Sequence, residues 1–424
     1  MSVKIVLGTQ WGDEGKGKVV DLLTREADVV VRYQGGANAG HTVKIDNQKF
    51  ILHLIPSGIL HPDKICLVGN GVVVDLEQFF KELDELKDKG VSTEKRIMLS
   101  DRAHLVMPYH RAVEKLNEQK RGKDKIDTTL KGIGPACFDK IERTGIRVID
   151  LLNEEIFSQR LDLNFKMKDN YLKELGADAV HSLKQESKNI LAHKDKLKPI
   201  VVDSSVFLNQ KIKEKKNILF ESAQGSLLDV DFGTYPYITT SHPTAGGACI
   251  GSGVGPTLID EVIGVAKAYT TRVGNGPFPT ELNDKTCEFL RNSGSEFGAT
   301  TGRPRRCGWL DLVILRYSVR INGISKLAVT KLDVMDDLDP IQVCMSYRYK
   351  GKKIDEFPAD LGTLMNCEPV YEELPGWKKN TNGLTDYKQL PDNAKKYLDF
   401  IEEKIGVPIY LISTGSKRDQ TIFV

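Results

Sequence analysis

The sequence predicts an α/β fold: a large, mostly parallel central sheet with a P-loop-like nucleotide site and helices on both faces. Three observations predict it. Short apolar runs recur along the whole chain, as strands buried on both faces do. Amphipathic stretches of helical period separate them. Val3 to Tyr33 reads as strand, glycine-rich turn, helix and strand, which is one βαβ unit.

In chain order, "VKIVLG" (Val3 to Gly8) is an apolar run closed by glycine, as a buried parallel strand would be. After the turn, Val19, Val20, Leu22 and Leu23 fall at helical spacing, and "DVVVRY" (Asp28 to Tyr33) is the second strand. Further strands are expected in "ICLVGNGVVV" near 65–74, "NILFESA" near 217–223 and "VIGVAKAY" near 262–269. Two more are "KLAVTKLDV" near 326–334 and "PIYLIST" near 408–414. "LEQFFKELDELKDKG" and "WLDLVILRYSVRING" read as amphipathic helices between them. Residues 150–217 are lysine-rich and helical in pattern, an insertion-like segment over one side of the sheet. Residues 345–395 are more polar, a peripheral segment with short strand-like pieces. No repeat, low-complexity tract or long Pro/Gly/Ser linker interrupts the pattern, so residues 1–424 read as a single large domain.

The 424 residues suffice for a substantial core, and 28% charged with 40% hydrophobic residues is ordinary for a globular protein. Sixty basic residues against 58 acidic give a net charge of +2, which argues against a general nucleic-acid binder. Seven scattered cysteines, never in a C-x-x-C pair, read as reduced thiols and not as a zinc site. No apolar run approaches the ~20 residues of a membrane span, and no basic-then-apolar leader opens the chain. These features point to a cytoplasmic enzyme that binds neither nucleic acid nor membrane.

The chemistry concentrates in a few stretches. "GTQWGDEGKGK" (Gly8 to Lys18) resembles the phosphate loop G-x-x-x-x-G-K-[ST], except that Gly17 stands where the magnesium-holding hydroxyl belongs. Gly8, Gly12, Gly15 and Gly17 let the backbone approach phosphate, the following helix offers its amide end, and Lys16 adds a charge. The loop also holds Asp13 and Glu14, and Asp13 is the nearest carboxylate for a metal. "GGANAGHT" (Gly35 to Thr42) follows the second strand, at the sheet edge where His41 and Asp13 are expected to face one pocket, with His41 a candidate proton donor or oxyanion stabiliser. "TKLD" (Thr330 to Asp333) resembles the N-K-x-D guanine reader, in which the carboxylate accepts from two adjacent guanine N–H groups. Ser413 to Gly415, after the last strand, would close over the base. "GATTGRPRRCGW" (Gly298 to Trp309) carries Arg303, Arg305 and Arg306 among small residues and suits capture of carboxylate or phosphate. "ESAQG" ends a strand with Gln224, Thr239 follows a Tyr-Pro-Tyr turn, and Thr128, Thr129 and Arg143 lie in Asp127 to Arg147. By residue chemistry alone these last polar groups default to structural roles.

Taken together, "QWGDEGKGK", "GGANAGHT", "GIGP", "DFGTYPY", "TRVGNGPFPTE", "EFGATTGRPRRCGWLD" and "TKLDV" resemble the adenylosuccinate synthetase family, in family order and over essentially the whole chain. The resemblance implies a Mg²⁺-assisted, GTP-dependent ligase that joins IMP to L-aspartate through 6-phosphoryl-IMP, a committed step toward AMP. It implies that Asp13 takes the N1 proton of IMP, working by position rather than by a raised pKa. His41 would stabilise the leaving β-phosphate, with Lys16 and Gln224 completing the catalytic set. Asp13 and the Gly40 carbonyl would replace the missing hydroxyl on magnesium. Gly12, Asp13, Glu14, Gly15, Lys16, Gly17, Lys18, Gly40, His41, Thr42 and Arg305 would surround the GTP phosphates. Lys331, Leu332, Asp333, Ser413, Thr414 and Gly415 would read guanine. Asp13, Lys16, Asn38, Ala39, Gly40, His41, Thr129, Gln224, Thr239 and Arg303 would hold IMP. Ala299, Thr300, Thr301, Gly302, Arg303 and Arg305 would clasp L-aspartate. Arg143 would reach the IMP phosphate of a neighbouring subunit, so a homodimer is implied. Ser416, Ser222, Leu130 and the stretch around His242 depart from the family's usual residues. A GTP-dependent switch is the reading from another class; it is disfavoured because no Ser or Thr follows Lys16 and no D-x-x-G occurs in the chain.

Overall fold

The computed structural model describes residues 1–45, 48–298 and 302–424, excluding the side chains of Lys44, Ile45, Lys49 and Asp124. Its central sheet takes strands from both ends of the chain. They are Val3–Gly8 (β1), Val29–Gly35 (β2), Ile65–Val74 (β3), Ile97–Ser100 (β4) and Val201–Val202 (β5), then Ile218–Glu221 (β6), Glu261–Lys267 (β7), Lys326–Thr330 (β8), Ile409–Ser413 (β9) and Thr421–Phe423 (β10). Their spatial order is β10-β9-β8-β7-β1-β6-β2-β3-β4-β5, and a further short strand, His104–Leu105, pairs with β3. All these pairings are parallel except β9 with β10.

Alternation along each strand feeds two cores. Ile5 and Leu7 of β1 point to one face with Val29, Val31 and Tyr33 of β2, where helices Leu312–Asn322 and Asp392–Ile405 cover them. Val6 and Val30 point to the other face, under helices Lys16–Thr24 (α1) and Leu76–Asp88. Both faces are apolar because both are covered, which is why these strands read as continuous hydrophobic runs.

The lysine-rich segment is helical, with Glu154–Met167 and Ala177–Asn189, and Phe157, Leu161 and Phe165 join the same core as β3. The polar segment near 345–395 begins earlier than its composition suggests. Strand Ile341–Tyr349 pairs antiparallel with Glu368–Leu374, and Tyr347 and Cys344 pack on Val313 of the neighbouring helix. All seven cysteines are free. Among the described residues, no helix is long and apolar enough to cross a membrane.

Candidate active site

Parallel strands present their following loops at one edge of the sheet. Here the loops after β1, β2, β6, β8 and β9 open into a single cavity of about 1350 Å³. Pockets for one drug-sized ligand span roughly 300–1,000 Å³, so there is room for more than one substrate.

The turn after β1 is organised by its own carboxylate. Glu14 is fully buried; its Oε1 accepts from the amides of Gln10 (3.0 Å) and Gly12 (2.9 Å), and its Oε2 from Lys16 Nζ (2.6 Å). A Cβ on Gly8 or Gly225 would run into this carboxylate. Gly12 and Gly15 adopt φ of 88° and 82°, with Asp13 between them at 60°. Glu14 was expected to offer its backbone to GTP phosphate; its side chain faces inward and shapes the loop. Helix α1 starts at Lys16 with no side-chain cap, so its first amides remain available to an anion. Lys16 and Gly17 line the cavity at that point.

His41 begins the hairpin strand His41–Ile45 rather than sitting in a free loop. Its Nδ1 pairs with Glu221, the last residue of β6. The other Glu221 oxygen accepts from Ser57 N (2.8 Å) and Oγ (2.6 Å), and Arg32 NH1 lies 3.4 Å from the carboxylate. Burial alone would raise Glu221, but His41, Arg32 and Ser57 hold it below the usual carboxylate range. Burial also pushes His41 down from its ordinary value, against the pull of Glu221. A neutral imidazole that donates Nδ1–H to Glu221 presents Nε2 as an acceptor, with Arg32 NH1 3.5 Å from it. An anion arriving there favours the second proton, and Glu221 balances the charge.

Asp13 is 37% exposed, and its Oδ2 lies 2.8 Å from Arg305 Nε. Arg305 NH1 also donates to Glu296 (2.6 Å), which accepts from Lys267 Nζ (2.8 Å) and the Tyr269 hydroxyl. Burial would raise Glu296, but Lys267, Lys331 and Arg305 lower it to about 2. Arg305, expected at phosphate and at L-aspartate, thus bridges a cavity carboxylate and a buried one.

At the far end, Lys18 Nζ donates to Ser413 Oγ (2.8 Å), Gly415 O (2.9 Å) and Gln420 O (2.7 Å). Burial lowers this ammonium to about 8. All three protons are used, so the Lys18 side chain ties α1 to the segment after β9. Lys331 Nζ donates to Gly294 O (2.7 Å). Asp333 Oδ2 accepts from Asn382 Nδ2 (3.2 Å), while Oδ1 is buried with no hydrogen-bond partner. Leaving such an acceptor unmet costs about 1–3 kcal/mol, which a ligand donor would recover.

Two more acceptors wait in the cavity: Asn38 Oδ1 and Gln224 Oε1 are buried and unpartnered. Ala39, Gly40, Thr42, Thr129 and Thr239 line the same space. Leu332 and Thr414 are fully buried behind it. Arg143 stands exposed in a left-handed conformation at the end of helix Ile133–Glu142, outside the lining. Gly302 and Arg303 are also outside it, and Arg303 NH1 contacts the carboxylate of Asp127. Ala299, Thr300 and Thr301 lie outside the described residues.

The sequence pattern of the family described as adenylosuccinate synthetase matches residues 5–422. The chain belongs to the adenylosuccinate synthetase family. An adenylosuccinate synthetase of Carboxydothermus hydrogenoformans is 56% identical over 424 residues, covering 100% of this chain and 99% of its own. One from Caldanaerobacter subterraneus subsp. tengcongensis is 54% identical over 423 residues, with 100% and 99% covered. A solved, fully ligated adenylosuccinate synthetase of Plasmodium falciparum superposes with a TM-score of 0.94 at 37% identity, covering 100% of both chains.

Within this synthetase fold, motif reading missed Glu221, Arg32, Glu296, Lys267 and Asn382. Three of them carry a signal in hindsight. Arg32 and Glu221 are the lone charges of their strands, and Lys267 closes an apolar run that Glu261 opens. A charge buried on a strand needs a partner, so each implies another charge nearby. Glu296 and Asn382 sit in ordinary polar stretches and carry no such mark.

Proposed function

We propose that this cavity carries out the family's reaction, joining IMP and L-aspartate at the expense of GTP to give adenylosuccinate, GDP and phosphate. The observation that carries the reading is the combination, in one cavity, of an uncapped phosphate-loop helix, the His41–Glu221 pair beside it and an unmet Asp333 oxygen at the other end.

Asp13 takes the N1 proton of IMP, and the 6-oxygen attacks the γ-phosphorus of GTP as the bond to the β-phosphate oxygen breaks. His41, protonated as negative charge gathers at Nε2, stabilises that leaving oxygen. Lys16 shares its charge between Glu14 and the phosphates. The L-aspartate amine then displaces phosphate from C6 of 6-phosphoryl-IMP and loses a proton.

GTP phosphates sit on the backbone of residues 12–18 and Thr42, and guanine meets Lys331, Leu332, Asp333 and Ser413 to Gly415. IMP contacts Asn38, Ala39, Thr129, Gln224 and Thr239; the two unpartnered amide oxygens support this. L-aspartate is held by residues 299–303 and Arg305. A carboxylate and a carbonyl, Asp13 and Gly40, are hard oxygen donors of the kind Mg²⁺ takes alongside substrate phosphates. Bound there, Mg²⁺ would neutralise charge on the phosphates. The enzyme works in the cytoplasm as a homodimer in which Arg143, exposed outside its own cavity, reaches the neighbouring IMP phosphate.

The test is phosphate release from GTP with Mg²⁺, omitting IMP and L-aspartate in turn and then substituting ATP. Release that needs both, with adenylosuccinate formed one-for-one and GTP preferred, is expected. Release indifferent to IMP and L-aspartate would replace this reading with a GTPase.

A further inference from the structure

Asp333 is half-buried, with Oδ1 fully covered, and is poorly supplied with donors. Lys331 spends its ammonium on the Gly294 carbonyl, and Lys18 spends all three protons on the 413–420 segment. Among the described residues, the one side-chain hydrogen bond to the Asp333 carboxylate comes from Asn382, whose Nδ2 donates to Oδ2 at 3.2 Å. Burial pushes this carboxyl up from its ordinary value, with the Lys331 charge opposing.

The Asn382 amide is itself set by a neighbour. Gln420 Nε2 donates to Asn382 Oδ1 at 3.1 Å, and Gln420 Oε1 accepts from the amide of Lys417 at 2.8 Å. The backbone holds the two segments together, Gly383 N donating to Thr414 O at 2.9 Å. The relay runs one way only. It starts at a backbone N–H, which cannot accept, and ends at a carboxylate, which cannot donate. Flipping Asn382 would set its oxygen against Asp333 and its NH₂ against that of Gln420.

We propose that Asn382 is a specificity-determining positioning residue: held by Gln420, it pins Asp333 Oδ2 so that Oδ1 and the remaining lone pair of Oδ2 face two adjacent N–H donors of a 2-amino-6-oxopurine. The inference rests on the reading that Asp333 meets the base of GTP. A purine without the 2-amino group engages one oxygen only. The relay therefore contributes to GTP over inosine triphosphate more than to nucleotide binding in general. It also rigidifies the turn that carries Ser416, whose φ no proline ring fixes.

The experiment compares kcat/KM for GTP and inosine triphosphate in the full enzyme, at saturating IMP and L-aspartate, for wild type, Asp333→Asn, Asn382→Leu and Gln420→Glu. Asn382 is exposed, so its loss leaves folding intact, and melting curves check this. Asn382→Leu is expected to cut the GTP preference about tenfold, through KM for GTP, with kcat within about twofold. Gln420→Glu, which keeps the bond from Lys417 but removes the donor to Asn382, is expected to lower the preference in the same direction. A GTP preference left at the wild-type value in both variants, while Asp333→Asn abolishes it, overturns the relay alone. A preference untouched by Asp333→Asn overturns the base-reading assignment as well. A role confined to folding would shift melting and leave the preference where it was.

Discussion

The two ends of the cavity are built on opposite terms. At the phosphate end three buried carboxylates are already matched: Glu14 with Lys16 and two amides, Glu221 with His41, Arg32 and Ser57, Glu296 with Lys267 and Arg305. At the opposite end a buried acceptor stays open, Asp333 Oδ1. The difference follows from what each end must do. Groups that stabilise charge as it moves act best when fixed beforehand, because no reorganisation is then needed during the reaction. Groups that choose a ligand act best unmet, because the right ligand relieves a cost that the wrong one leaves standing.

The largest effect should come from the one half-exposed carboxylate of the matched end. Asp13→Asn is expected to lower kcat by roughly 10²–10⁴-fold, the usual range for a lost general base, with melting unchanged. Steady-state kinetics beside a melting curve checks both; normal turnover would remove Asp13 from the proton-transfer role.

Next is Glu296→Gln. The Glu296 carboxyl is lowered to about 2 from 4.5. Its contribution is therefore present above the unfolded value, near 4.5, and is lost as pH falls toward 2. By linkage that difference corresponds to about 3 kcal/mol. Denaturant melts at stepped pH should show wild type losing more stability than Glu296→Gln between pH about 5 and 3. Parallel pH curves would mean that the charge is not held as described.

The smallest effect belongs outside the cavity. Arg143→Leu is expected to raise KM for IMP about tenfold, as for one lost charge-assisted hydrogen bond. Mixing it with Asp13→Asn should recover part of the activity if each site borrows the partner's arginine. No recovery on mixing would confine each site to one chain.

Much of this was legible in the sequence, and the reason is local. Glycines at a strand-to-helix turn, a histidine on the next loop and "TKLD" after a strand are short-range patterns, and the parallel sheet gathers them at one edge. The strand runs near 65–74, 217–223 and 408–414 were legible for the same reason: covered faces leave continuous apolar stretches. The partners of these candidate groups were not legible. Arg32 and Glu221 are 189 positions apart, and only the placing of β6 between β1 and β2 brings them together. Glu14 shows the limit differently. Its presence in the loop was plain, but its inward direction depends on the room left by Gly8 and by Gly225 on another loop.

The tie between Lys18 and the Gln420 carbonyl spans 402 positions. A cavity end that joins the first helix to such a late segment cannot be completed in a nascent chain until residue 420 has left the ribosome. Shorter intermediates can complete the strands up to β8 and carry Asp333 and Asn382, yet they lack the Gln420 amide that holds Asn382. During synthesis, the outer support of Asp333 is the last part of the cavity to form.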